Sequence, residues 1–134
     1  MIATLRELAT TVASDAVTVD DLVHRLDGTA VDMIGNVLVD SPSLEGVAQA
    51  SVVRVASGEA PAHVTLELID PVPEEALTAS FGTPTPVPPE FPGGPDRLLY
   101  ELDLPDGSYT ASLIASIEEQ GARRVTLRRD PRLR

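Results

Sequence analysis

Apolar residues recur at helical spacing at Ile2, Leu5, Leu8, Ala9 and Val12, which predicts an amphipathic helix over residues 2–13. Thr18 precedes Asp21 by three positions, an N-terminal capping pair with Asp in the usual place of Glu. The helix it opens presents Leu22, Val23 and Leu26 on one side and is expected to stop at Gly28. Beyond Gly28 the period changes to two. Val31, Met33, Val37 and Val39 share a face if residues 30–39 are extended, with Gly35 weakening the middle. Residues 47–56 and 62–69 are rich in β-formers and flank Ser57-Gly58-Glu59-Ala60-Pro61, which reads as a hairpin loop. In the second of these strands Val64, Leu66 and Leu68 alternate with His63, Thr65 and Glu67.

Pro71-Val72-Pro73 ends this run. Glu74-Glu75 then suit the positive end of a helix dipole, so a short helix to Phe81 and a stop at Gly82 follow. Residues 83–96 hold six prolines and two glycines, which excludes a helix interior or a central strand and predicts a loop of polyproline character. Three alternating strands close the chain. Leu98, Tyr100, Leu102 and Leu104 form the apolar set of the first. Tyr109, Ala111, Leu113, Ala115 and Ile117 form that of the second, and Val125 with Leu127 that of the third. Pro105-Asp106-Gly107-Ser108 and Gln120-Gly121 supply the turns. Clean alternation means one buried face and one wet face.

The chain also echoes itself. Val64-Thr65-Leu66 followed by Asp70-Pro71 recurs as Val125-Thr126-Leu127 followed by Asp130-Pro131, and the acidic helix start at Val19-Asp20-Asp21 recurs at Pro73-Glu74-Glu75. An echo of this kind reads as a repeated supersecondary unit. The candidate repeats span residues 17–71 and 72–131 of a single domain. The expected fold is α+β: a mainly antiparallel sheet of about six strands with helices on one face, arranged as a tandem helix-plus-three-strand unit. This layout is similar to that of tandem helix-plus-sheet proteins such as the β-lactamase inhibitor proteins and the small outer-membrane assembly lipoproteins. The likeness is architectural. Their units are longer, and the inhibitors' disulfides and the lipoproteins' lipid-bearing cysteine have no counterpart in a chain without cysteine. Such a likeness transfers no function.

Composition narrows the function classes. At 134 residues the chain can bury a core without staples, and the absence of cysteine excludes disulfides and thiolate metal sites. No apolar run reaches membrane-span length, and Met1 to Glu7 lack the start of a secretory signal, so a cytoplasmic location is expected. The formal charge is −11; residues 123–134 carry six arginines against Asp130, a balance of +5, which leaves −16 on the preceding 122 residues. An acidic body repels phosphate backbones, which argues against nucleic acid, and steers toward a basic partner. All ten basic residues are arginine. That fits the codon bias of a GC-rich bacterial genome better than avoidance of a lysine-modifying enzyme.

Motifs for catalysis are lacking. There is no G-x-S-x-G elbow, no phosphate loop and no cation loop. His24 lies beside Asp20 and Asp27 at helical spacing, an arrangement that also describes an ordinary charged helix surface. Glu101 and Glu118 would form a carboxylate pair if they faced each other across adjacent strands. The proline-rich loop reads equally as a flap beside a binding surface or as a passive spacer. No cofactor or metal is expected.

The wet face of the sheet is the preferred candidate. Alternation assigns to it Ile34, Leu38, Thr65, Glu67, Leu99, Glu101, Ser112, Ile114 and Ser116, with His63, Asp103, Arg124, Thr126 and Arg128 among them. Large apolar groups rimmed by hydroxyls and charges suit a protein contact. The expected function is therefore a non-enzymatic acidic protein-binding module: an inhibitor, an immunity-type protein or an adaptor. Its partner would be another protein, basic in character, or a second copy of itself, and neither nucleic acid nor membrane. The alternative is a small α+β enzyme or ligand-binding protein with a pocket between helices and sheet, using His24, Tyr100 or Tyr109. A deep polar cavity there favours the alternative, and a filled core favours the module.

Overall fold

The computed structural model describes residues 1–40, 42–55, 58–102, 104 and 107–131. Asp103 and parts of the expected turns at 57–61 and 105–108 lie outside the described residues. The elements run α1 (Ile2–Val12), α2 (Val19–Leu26), β1 (Thr29–Met33), β2 (Asn36–Asp40), β3 (Val47–Arg54) and β4 (Pro61–Val72). They continue with α3 (Glu74–Phe81), β5 (Thr85–Val87), β6 (Asp96–Leu102), β7 (Tyr109–Glu118) and β8 (Gly121–Pro131). The strands form one open antiparallel sheet of eight in the order β1-β2-β3-β4-β8-β7-β6-β5. Each half of the chain after α1 thus runs from a helix into four sequential strands, and the halves meet where β4 pairs with β8.

All three helices pack on the sheet: α1 on β7, β8 and β4, α2 on β2 and β3, and α3 on β6. The alternation read from the sequence selects what they cover. Leu5, Leu8, Leu22, Leu26 and Leu77 of the helices meet Leu66, Leu113, Leu127 and Tyr100 of the sheet, all fully buried. Burying one such leucine contributes about 1.5–3 kcal/mol, so this layer holds the fold together. The capping pair of α2 is present in full. Thr18 Oγ1 accepts from Asp21 N–H at 3.1 Å, and Asp21 Oδ2 accepts from Thr18 N–H at 2.9 Å. Tyr100 places its hydroxyl 3.1 Å from Thr78 Oγ1 of α3, which satisfies the one polar atom that this ring carries inward. No helix among the described residues is long and apolar enough to cross a membrane.

The structure corrects the reading in three places. Residues 30–39 are two strands, because Ile34-Gly35 turns the chain, with Gly35 at φ +83°. The fold therefore has eight strands where about six were expected, and each half carries four strands after its helix. A left-handed residue does end α2, but it is Asp27 at φ 47°, not Gly28. Gly28 is required for space instead: a Cβ there would lie 2.5 Å from Asp40 O and 2.8 Å from Val39 Cγ1. Finally, the proline-rich segment includes a short strand, β5. It sits at the sheet edge, where proline inside a strand is tolerated.

Candidate functional site

Among the described residues no helix packs on the second face of the sheet, and strand register arranges its side chains in rows. The middle row runs Leu38, Ser51, Thr65, Thr126, Ile114, Leu99 across six strands. Hydroxyls occupy its centre, and aliphatic groups occupy its flanks. On one side of it runs Asn36, Val53, His63, Arg128, Ser112, Glu101. On the other runs Asp40, Gln49, Glu67, Arg124, Ser116, Arg97. These rows follow from period-two alternation once the register is set.

Polar groups in the rows bond to one another. Thr65 and Thr126 share a hydrogen bond of 3.1 Å. Asn36 Nδ2 donates to Ser51 Oγ at 2.9 Å. Asp130 binds twice, accepting from Arg128 Nε at one oxygen and from Ser112 Oγ at the other, both at 2.7 Å. Arg124 lies 3.4 Å from Glu67. The arginines of this face therefore have acidic neighbours, and the face is mixed in charge although the whole chain is strongly acidic.

The proline-rich segment borders this face. After β5 it carries Glu90 back over the outer row, where its carboxylate bridges Arg97 at 3.9 Å and Arg124 at 3.6 Å. Arg97 Nε also donates to Pro88 O at 2.8 Å. A cleft of about 290 Å³ lies beneath, lined by Glu90, Phe91 and Pro95 of the loop and by Glu67, Arg97, Ser116 and Arg124 of the sheet. Phe91 stands at its rim with 58 % of its surface exposed.

Seven of the nine expected face residues, Leu38, Thr65, Glu67, Leu99, Glu101, Ile114 and Ser116, lie on the open face and reach its surface. Ile34 does not belong to it. It occupies the β1–β2 turn and projects wholly into solvent, because the hairpin interrupts the strand that would have carried it. Ser112 belongs to the face by register but is only 1 % exposed, bonded to Asp130. Sequence alternation missed Asp130, Arg97, Glu90 and Phe91. Arg97 lies in β6, which begins at Asp96, two residues before the alternating pattern that starts at Leu98, and nothing in a proline-rich run announces that Glu90 reaches two strands.

The candidate chemical groups are dispersed. His24 is exposed on α2, while His63 is half-buried on the sheet. Burial, and secondarily the Arg128 guanidinium, holds the His63 imidazole below its ordinary pKa. His63 and Ser112 are separated in their row by Arg128, a gap of about 10 Å at the usual strand spacing, so no histidine activates this serine. Glu101 stands opposite Ser112 and Glu118 opposite Gly121, so these carboxylates do not face each other. Tyr109 lies under the Arg129 guanidinium at 3.6 Å, on β7, away from Tyr100 and His24. No group of three metal-ligating side chains occurs among the described residues. No family model matches the chain, and no curated protein or solved structure matches it significantly.

Proposed function

We propose that this protein is a non-enzymatic protein-binding module whose contact surface is the open face of its sheet. The observation that carries the reading is the middle row. The row of Leu38, Ser51, Thr65, Thr126, Ile114 and Leu99, on which no helix packs among the described residues, offers aliphatic side chains around a hydroxyl centre, and bonded charges border it on both sides. An apolar centre inside a polar rim is the ordinary anatomy of a protein contact. The filled layer between helices and sheet supports the same reading, since Leu5, Leu8, Leu77, Leu113 and Tyr100 occupy the space a ligand pocket would need. The net charge of −11 steers the module toward a basic partner and makes its association rate fall with added salt.

The test uses the chain as bait in its native host. Proteins captured by the wild type are titrated against wild type, Ile114→Asp, Leu99→Asp and His24→Ala. The two face variants are expected to weaken binding by about 2 kcal/mol or more, the scale of a hot spot, and His24→Ala to leave it unchanged. Normal binding by both face variants would place the contact elsewhere.

A further inference from the structure

The two edges of the sheet are built differently. β5 is three residues long, with Pro86 at its centre and Pro84, Pro88 and Pro89 beside it. Proline offers no N–H to a further strand, and natural sheets blunt their edges in this way. β1 has five residues without proline, lysine or arginine, every one of them exposed, and no strand pairs with its outer side among the described residues. Apolar exposure also concentrates at this corner. Val31 is 49 % exposed and Met33 52 %, Ile34 projects fully, and Val55 follows Arg54, whose N–H donates to Gly35 O in the same turn.

The hydrogen-bond phase of β1 follows from that last contact. Because Arg54 N–H bonds to Gly35 O, Asn36 turns its own amide and carbonyl toward β1. Asn36 is opposite Met33, so Thr29, Val31 and Met33 bond inward to β2. Ala30 and Asp32 are then left with amide and carbonyl pointing outward, an unpaired template.

We propose that β1 is a self-association edge, which pairs antiparallel with β1 of a second copy and joins the two sheets into one. The register is self-complementary. With Val31 of both copies opposite each other at the two-fold axis, Ala30 stands opposite Asp32 of the partner subunit, so every outward amide meets an outward carbonyl. Val31 joins the middle row through Leu38, so the apolar flank of that row continues across the axis. A shift that set the two Asp32 side chains opposite each other would place like charges together and is disfavoured. The proline-blunted β5 cannot repeat the pairing at the far side, so assembly closes at two instead of growing into a filament.

Two five-residue strands bury less than the roughly 1,000 Å² of a stable interface, and each copy carries −11. The dimer is therefore weak and is strengthened by salt, which screens the repulsion between the copies. An interface built on ion pairs would respond in the opposite sense.

Sedimentation equilibrium of the full chain from about 10 µM to about 1 mM, in low and in high salt, tests this. The expected result is a monomer–dimer equilibrium, with no larger species, whose Kd falls several-fold in high salt. Ala30→Pro removes an outward N–H while leaving the β1–β2 bonds, and Val31→Glu sets two like charges across the axis at an exposed position. Each should raise Kd at least tenfold, and Ile114→Asp should not. Thermal melts show whether each variant folds, and Val31→Glu decides the matter if Ala30→Pro does not. A chain that stays monomeric at about 1 mM in both salts overturns the proposal. So does growth beyond the dimer, or folded edge variants that associate like wild type.

Discussion

The hydroxyls of Thr65 and Thr126 lie 3.1 Å apart across the seam where the two halves of the sheet meet. Each is the middle residue of a Val-Thr-Leu run, and the runs pair head to tail, Val64 with Leu127 and Leu66 with Val125. The seam is thus locally two-fold, with the valines and leucines buried beneath and the threonine pair on the open face.

That pairing predicts a non-additive response. Thr65→Val or Thr126→Val alone leaves one half-buried hydroxyl without its partner and should cost about 1 kcal/mol. The double variant replaces both by apolar groups of the same shape and should cost less than the two single changes together. Urea denaturation of the three variants measures the coupling; silent single variants with a costly double variant would contradict it.

Leu113 and Ile114 are adjacent on β7 and point to opposite faces. Leu113 is fully buried under the helices, and Ile114 is half-buried between Thr126 and Leu99 on the open face. Leu113→Ala should lower stability by about 2–5 kcal/mol, as a core truncation does. Ile114→Asp should cost about 1 kcal/mol, nearer a surface change. Chemical melts with the reverse ranking would show that β7 is out of phase by one residue.

His63 gives the fold a pH dependence. Its imidazole pKa is held below the ordinary 6.5, first by burial and then by Arg128. The folded state therefore binds this proton less readily than the unfolded chain. The stability it contributes is complete above 6.5 and is lost as pH falls from 6.5 through the folded-state pKa. Urea midpoints measured from pH about 7.5 to about 5.5 should fall, and His63→Gln should flatten that slope. A wild-type curve as flat as that of the variant would remove His63 as the cause.

Gly28 tests the junction between α2 and the sheet. Its Cα faces Asp40 O, Val39 Cγ1 and Pro42 Cα so closely that a methyl group would come within 3.0 Å of all three. Gly28→Ala should therefore cost about 1–3 kcal/mol, as overpacking does. Asp27→Gly, one residue earlier, should be neutral or stabilising, because glycine relieves the left-handed backbone at φ 47°. Thermal melts of both separate the two effects, and a harmless Gly28→Ala would mean that the junction has slack.

Some of this was legible in the sequence because it depends on local order. The helical spacing of Leu5, Leu8 and Val12, the Thr18–Asp21 cap and the alternation through β4, β6, β7 and β8 are short-range patterns. Each specifies which side of its element is buried before any partner is known. The sequence by itself therefore determined the α+β class, the helix-covered face and most of the open face. Tertiary structure alone decided the rest, because it turns on which distant segments pair. Alternation cannot distinguish one strand over 30–39 from a hairpin. The two-residue turn at Ile34-Gly35 reverses the parity, so Val37 and Val39 go under α2 while Val31 and Met33 go to the other face. β5 exists because its residues can pair with β6, although their own prolines disfavour a strand. Ser112 is buried because Asp130, brought alongside by the β7–β8 register, accepts its hydroxyl. Glu90 spans Arg97 and Arg124 only once β6, β7 and β8 stand side by side. Contacts of this kind form between groups far apart along the chain, and their register is a property of the assembled sheet.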